Sequence, residues 1–295
     1  REQRRHGIGR RHAVDAQQAA KDGVAGNRLG GKIGVGDDQV IAVAHAGNQV
    51  IFVDSDPETL SLDPEDVARK IQPDTAAVMV VHIGGIIDPD IKTLQDLCKA
   101  RGLFLIEDCA HAHGSALNGR HAGLLGNAGG FSFFPTKTLT TGEGGMITTN
   151  NDEWAEKIQA YGLHGMSKGA WQRYSDDGYK HYAVVYPGYK YNMMDIQAAI
   201  GYHQLQRIGR YLGVREHIWQ SYDEAFQDLS VTTPLPPEPD TVHARHLYTL
   251  LLDIDRLKIT RDDFLQRMHE RNIGTGVHFI SVHQHPYYRE TFGFQ

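Results

Sequence analysis

Residues 91–108 read IKTLQDLCKARGLFLIED, and they decide the fold. From Ile91 to Arg101, Leu94, Leu97 and Cys98 recur at the three-and-four spacing of one helix face. Gly102 follows, and glycine ends helices readily because it enters the left-handed region without a Cβ penalty. Leu103-Phe104-Leu105-Ile106 is then apolar without alternation, as in a strand covered on both faces. Upstream, residues 77–81 are a second such run, and Val50-Ile51-Phe52-Val53, ending at Asp54, is a third. Between these two, Asp63 caps a helix with Pro64 at its first position and Val67, Ala68 and Ile71 facing inward. Strand, helix, strand, helix, strand at this spacing predicts a parallel sheet with crossover helices, an α/β fold.

The chain continues through glycine-rich turns to two short β segments, expected around residues 130–134 and 145–149. A helix starting at Asp152 runs to about Tyr161, and residues 165–190 read as a long loop. Helices are expected over 195–212 and about 215–229, the first with Ile196, Ala199, Ile200, His203, Arg207, Ile208 and Tyr211 on one face. Thr233-Pro234-Leu235-Pro236-Pro237-Glu238-Pro239 cannot be helical and reads as a linker. A strand (247–252), a helix (260–271, closed by Asn272) and a strand (276–280) make a small α+β domain. The organisation expected is an atypical, poorly ordered segment over 1–46, a large domain over 47–232 and a partial small domain over 233–295.

Of the 295 residues, 40% are hydrophobic and 22% charged, which excludes a wholly disordered chain. A net charge of -6 argues against a cationic nucleic-acid binder. No apolar run is long enough for a membrane span, and the basic start REQRRHGIGRRH has no apolar stretch after it to make a secretory signal. Two cysteines, Cys98 and Cys109, do not form a disulfide framework, so a cytoplasmic protein is expected.

Asp108 stands at the carboxyl end of a strand, where open α/β sheets place their ligands. Asp108, Cys109, His111 and His113 lie close enough in sequence to suggest zinc, and a zinc hydrolase is one reading. In another reading, Asp108 faces a cationic ring nitrogen with His111 beside it. The phenylalanine-rich strand Gly130-Phe131-Ser132-Phe133-Phe134 leads to Lys137 and a glycine-rich turn. A lysine partly desolvated there has a nucleophilic amine, and the Ser132 hydroxyl with nearby backbone N–H groups suits a phosphate. Neither a Walker loop nor a dinucleotide fingerprint is present. A carboxylate, a Schiff-base lysine about thirty positions later and a hydroxyl for a phosphate are what pyridoxal 5'-phosphate requires.

With these phrases in order, VIFVDSDPETLSLDPE, LFLIEDCAHAHG, FSFFPTKTLTTGEGG, GYKYNMMDIQAAIGYHQL and GTGVHFISVHQHPYY, the chain resembles the DegT-type sugar aminotransferases, fold type I pyridoxal-phosphate enzymes. The resemblance implies a three-layer large domain with a mainly parallel sheet and a small C-terminal domain. It implies that Lys137 forms the Schiff base, Asp108 pairs with the pyridine nitrogen, and His111 lies near the ring or its oxygen. Ser132 would bind the phosphate, and Asn192 would reach the phosphate of the partner subunit, because the family forms homodimers with shared active sites. His164 and His278 match positions near the sugar. The amino donor implied is glutamate or glutamine, and the acceptor a keto-sugar, usually on a nucleotide, or a cyclitol ketone.

Two departures qualify the resemblance. Residues 1–46 contain no S-G-T or N-G-T phrase for the family's amide cradle, although residues 34–41 are similar to its strand entry. The family also continues for several tens of residues beyond Tyr288. The expectation is an incomplete copy with weakened cofactor affinity, and a defunct relative serving as a binding or regulatory protein stands as the alternative.

Overall fold

The computed structural model describes residues 37–167, 183–277 and 281–292. Its helices are α1 (Asp37–His45), α2 (Pro64–Lys70), α3 (Ile91–Arg101), α4 (Asp152–Gly162), α5 (Asp195–Leu205), α6 (Ile208–Phe226), α7 (Arg261–Glu270) and α8 (Pro286–Phe292). The main sheet holds β1 (Ala77–Val81), β2 (Phe104–Asp108), β5 (Ala128–Ser132) and β6 (Gly145–Thr149), in the order β1-β2-β5-β6. β1, β2 and β5 run parallel, and β6 runs antiparallel to β5. This is the expected α/β architecture. Short strands β3 (Ala116–Leu117), β4 (Arg120–His121) and β8 (Thr241–Val242) form a second sheet, and β7 (Val231–Thr232) pairs with β9 (Leu251–Leu252).

The deciding stretch folds as its pattern dictates. Ile91, Leu94 and Cys98 of α3 are buried against Val78, Val80 and Leu105 of the sheet. Gly102 adopts φ 67°, and the next N–H, from Leu103, donates to Cys98 O at 2.9 Å, so the chain reverses directly into β2. The Asp63 carboxylate caps α2 by accepting from Glu65 N–H at 2.8 Å. Among the described residues no helix is long and apolar enough to cross a membrane.

Several elements differ from expectation. The run 50–53 buries Val53 but joins no strand ladder among the described residues; Asp54 N–H donates instead to the buried Asp66 carboxylate at 2.7 Å. From Asp37 the strand entry is instead helix α1, whose Val40 packs with Val282 and Tyr288 near the other end of the chain. Two helices are expected over 195–212 and about 215–229, but the break falls earlier: α5 ends at Leu205 and α6 starts at Ile208. The break redirects α6 so that Ile208 and Leu212 reach Gly114: a Cβ there would lie 2.8 Å from Leu212 Cδ1. The strand expected over 247–252 shrinks to β9, because the N–H groups of His246 and Leu247 donate to Gly84 O at 2.9 and 3.2 Å. Of the strand expected over 276–280, residues 276 and 277 are not in a strand, and the rest lies outside the described residues.

Leu94 has no solvent exposure and sits at the centre of the α3–sheet contact. Leu94→Ala is expected to cost about 2–5 kcal/mol, read as a lower urea midpoint at unchanged slope.

Candidate active site

The register of the parallel strands determines what the sheet delivers to its carboxyl edge. Val81, Asp108 and Gly130 lie in line across β1, β2 and β5. His82 therefore follows directly after β1, Asp108 ends β2, and Ser132 ends β5, three neighbours at the edge where such sheets bind ligands. Asp108 Oδ1 accepts from Ala110 N–H at 2.9 Å, a local turn that holds the carboxylate at the strand end. Past Ser132 the chain closes a tight loop: Phe133 N–H donates to Gly144 O (2.8 Å), Lys137 N–H to Phe134 O (3.0 Å) and Thr141 N–H to Phe133 O (3.0 Å). Lys137 is half-buried near the start of that loop.

His111 lies between two segments. Its Nδ1 accepts from Gly84 N–H at 3.3 Å, and its ring centroid is 4.5 Å from that of His246. His113 is buried, with ring centroids of Phe131 at 5.4 Å and Phe133 at 5.7 Å. Burial pushes its pKa down to about 4; the Ser132 backbone opposes the shift and the positive charge of Lys137 adds to it. His113 is therefore a neutral neighbour within electrostatic reach of Lys137.

The metal reading is corrected. Among the described residues, the donors gathered within 4.8 Å of one another are His82, Glu107 and Cys109, not Asp108, His111 and His113. They form a closed brace. Glu107 has no exposure; it accepts from Gly123 N–H at 2.8 Å, from His82 Nε2 at 2.9 Å and from Gly126 N–H. Asp88 N–H donates to His82 Nδ1 at 3.2 Å, which leaves Nε2 as the protonated nitrogen. Burial works to raise the Glu107 carboxyl, but His82 and the two backbone donors outweigh it and hold its pKa below the usual carboxylate range. Burial pushes the Cys109 thiol up, which keeps it protonated within this brace. Sequence reasoning passed over this pair. The signal was a carboxylate inside an apolar strand, on its buried face with Leu105, where it requires a partner.

A face of α5 supports the Lys137 loop. Gln197 Nε2 donates to Glu143 O at 2.7 Å, Gln204 Oε1 accepts from Thr140 N–H at 3.3 Å, and Gly201 lies against Thr141. These positions recur at i, i+4 and i+7, so the half-buried side of the helix is the one carrying its glutamines. The face expected to be buried, with Ile196 and Ile200, is exposed, as are Tyr202 and Leu205. Asn192, just before α5, is exposed and bonded by Lys190. His164 is exposed at φ 55°, and its N–H donates to Tyr189 O at 2.7 Å. The structure thus brings Asp108, His111, Ser132 and Lys137 to one edge, and sets His164 and Asn192 on adjoining surface segments. His278 lies outside the described residues.

A family model described as the DegT/DnrJ/EryC1/StrS aminotransferase family matches residues 39–295. The spore coat polysaccharide biosynthesis protein SpsC of Bacillus subtilis is 44% identical over 255 residues, covering 86% of this chain and 65% of SpsC. The chain thus spans about two thirds of the curated relatives it matches, 65% of their length. The crystal structure of an aminotransferase, TlmJ from Streptoalloteichus hindustanus, superposes with a TM-score of 0.80 at 28% identity, over 94% of this chain and 72% of TlmJ. The PLP form of a putative sugar aminotransferase, Spr1654 from Streptococcus pneumoniae, shares the fold at 24% identity and a TM-score of 0.79, over 94% of this chain and 72% of that one.

Asp88, fully buried behind His82, gives a pH signature. Burial raises its pKa to about 6 from 3.8; the Asp90 N–H and His82 oppose the shift. Between those values the folded state keeps a proton that the unfolded state has released, so this contribution favours folding below about pH 4 and is lost as pH rises through about 6. His113 and His243, held at about 4 and about 3 mainly by burial, act oppositely, destabilising as pH falls below 6.5. Asp88→Asn removes only the first effect. Its stability relative to the parent should rise by about 2–3 kcal/mol between pH 4 and pH 7.5 in urea titrations. A flat difference would contradict this assignment.

Proposed function

Because the chain belongs to the DegT/DnrJ/EryC1/StrS aminotransferase family, we propose that it is a pyridoxal-phosphate-dependent aminotransferase. In this reading it moves an amino group from glutamate or glutamine to a keto-sugar carried on a nucleotide. The observation that carries the proposal is the delivery of Asp108, Ser132 and Lys137 to one edge of adjacent parallel strands. The donor set fits the cofactor: a carboxylate for a pyridinium nitrogen, a hydroxyl for a phosphate and an amine for an aldehyde.

When bound, the cofactor supplies an electron sink that acidifies the substrate's Cα–H bond. Asp108 keeps the ring nitrogen protonated, and its turn with Ala110 holds the carboxylate in place. Lys137 anchors the cofactor through Nζ and afterwards carries the proton as base and acid. The uncharged His113 beside it places no second cation next to that amine when Lys137 is protonated. Ser132 binds the phosphate, His111 orients the ring, and His164 and His278 contact the sugar.

The working unit in this proposal is a homodimer with shared sites. The outward apolar surface of α5, with Ile196, Ile200, Tyr202 and Leu205 exposed around the helix, supports it, since apolar surface of that extent is typically covered by a partner. Asn192, next to that surface, then reaches the partner's phosphate group. Both cysteines are free and buried, in keeping with a cytoplasmic protein.

Borohydride reduction of the cofactor-treated protein, followed by peptide mass spectrometry, tests the reading. The reduced cofactor should appear on the peptide holding Lys137. Lys137→Ala should lose the adduct and lower glutamate-dependent turnover of a keto-sugar nucleotide by about 10²–10⁴-fold or more. Absence of the adduct in the parent would refute the proposal.

A further inference from the structure

We propose that His246, delivered by the segment beyond the proline linker, is a positioning residue of the active site that orients His111. The segment is docked at the sheet edge by backbone bonds. β8 pairs with β3, matching Val242 to Ala116. Ser115 Oγ donates to Gly85 O at 2.6 Å and accepts from Ala244 N–H at 3.1 Å. Ala244 N–H also donates to Gly85 O at 3.0 Å.

Gly84 is the hinge of this contact. Its carbonyl accepts from His246 N–H at 2.9 Å, while its own N–H donates to His111 Nδ1 at 3.3 Å. A single glycine residue thus ties the backbone of His246 to the ring of His111. Gly84 adopts φ 62°, and a Cβ on Gly85 would lie 2.9 Å from both Ala244 Cβ and His111 O. Only a glycine pair lets the two segments approach this closely. On the other side, Arg245 is held at φ 50° by Glu216, with Nε–Oε2 at 2.8 Å, and by its stack over Trp219, 4.7 Å from the ring centroid. The turn at 245 is therefore fixed from α6, and His246 is presented to His111 at 4.5 Å between ring centroids.

The consequence is a defined ring. A backbone N–H aimed at Nδ1 requires that nitrogen to be an acceptor, so His111 carries its proton on Nε2. The tilted contact with His246 restrains rotation of the His111 ring about its side-chain bonds, which keeps Nε2 as the donor offered to the cofactor. This role rests on the proposed function, which makes His111 a cofactor neighbour; the His246–His111 coupling itself does not depend on it.

Two readouts test the proposal with His246→Ala, His246→Gln and His246→Phe. The first is the side-chain ¹⁵N spectrum of histidine-labelled, cofactor-free protein, with His111 assigned by its loss in His111→Gln. The second is the dissociation constant and absorption band of added pyridoxal phosphate. In His246→Ala, the His111 nitrogens should move toward tautomer averaging, and cofactor affinity should fall by up to about tenfold with a shifted band. His246→Phe keeps a ring in place and should restore both, whereas His246→Gln should not. Unchanged His111 nitrogens in His246→Ala overturn the proposal. So does rescue by Gln but not by Phe, and that comparison alone decides if the alanine variant does not fold. If the parent binds no cofactor, the proposed function fails, while the nitrogen spectra still decide the histidine coupling.

Discussion

The buried carboxylate of Glu107 is the interaction on which the site depends. It sits one residue before Asp108 with no access to water, where an uncompensated charge would be prohibitively costly. Its compensation comes from three places at once: His82 after β1, Gly123, and Gly126 just before β5. Two of these donors border the strands on either side of β2: His82 follows β1, and Gly126 precedes β5, which ends at Ser132. A single anion therefore fixes how the ends of β1, β2 and β5 sit relative to one another. Breaking such a brace by removing one partner leaves the other buried and unpaired, a larger effect than the pair's own net contribution. Small residues are needed around it. A Cβ at Gly126 would come 2.4 Å from Leu105 O, and one at Gly129 would come 2.3 Å from Gly123 Cα.

The same economy appears on the other side of the edge. Gly84 and Gly85 follow β1 in a short turn whose carbonyls receive the chain returning from the linker. Residues more than a hundred positions downstream thereby reach the carboxyl edge of the sheet, where His246 meets His111 just after β2. On the third side, the amides of α5 hold the loop after Lys137. Its side chains Ile196, Ile200, Tyr202 and Leu205 are left exposed.

Much of this was legible in order. The apolar runs at 77–81 and 103–106, the helix between them and its glycine stop are local patterns with local causes, and the structure repeats them. The placement of Asp108 and Ser132 at strand ends was legible because the apolar runs that form the strands stop there. Val50–Val53 was not, because an extended run becomes a strand only when a neighbour offers its backbone; here Asp54 turns to the Asp66 carboxylate. The long amphipathic pattern from 195 was misread for a related reason. A helical period says that an apolar face exists, not what covers it, and the contacts that bury α5 come from its glutamines.

By itself, then, the sequence determined the fold class, the order of elements from β1 to α4 and the residues at the strand ends of the main sheet, since these follow from side-chain period, caps and glycine. Only the tertiary structure decided which residues meet across the chain: Glu107 with His82, His111 with His246, Gln197 with the loop of Lys137. Such pairs are separated by many residues and leave no periodic trace. They form because buried polar groups must find partners wherever the packing brings one near.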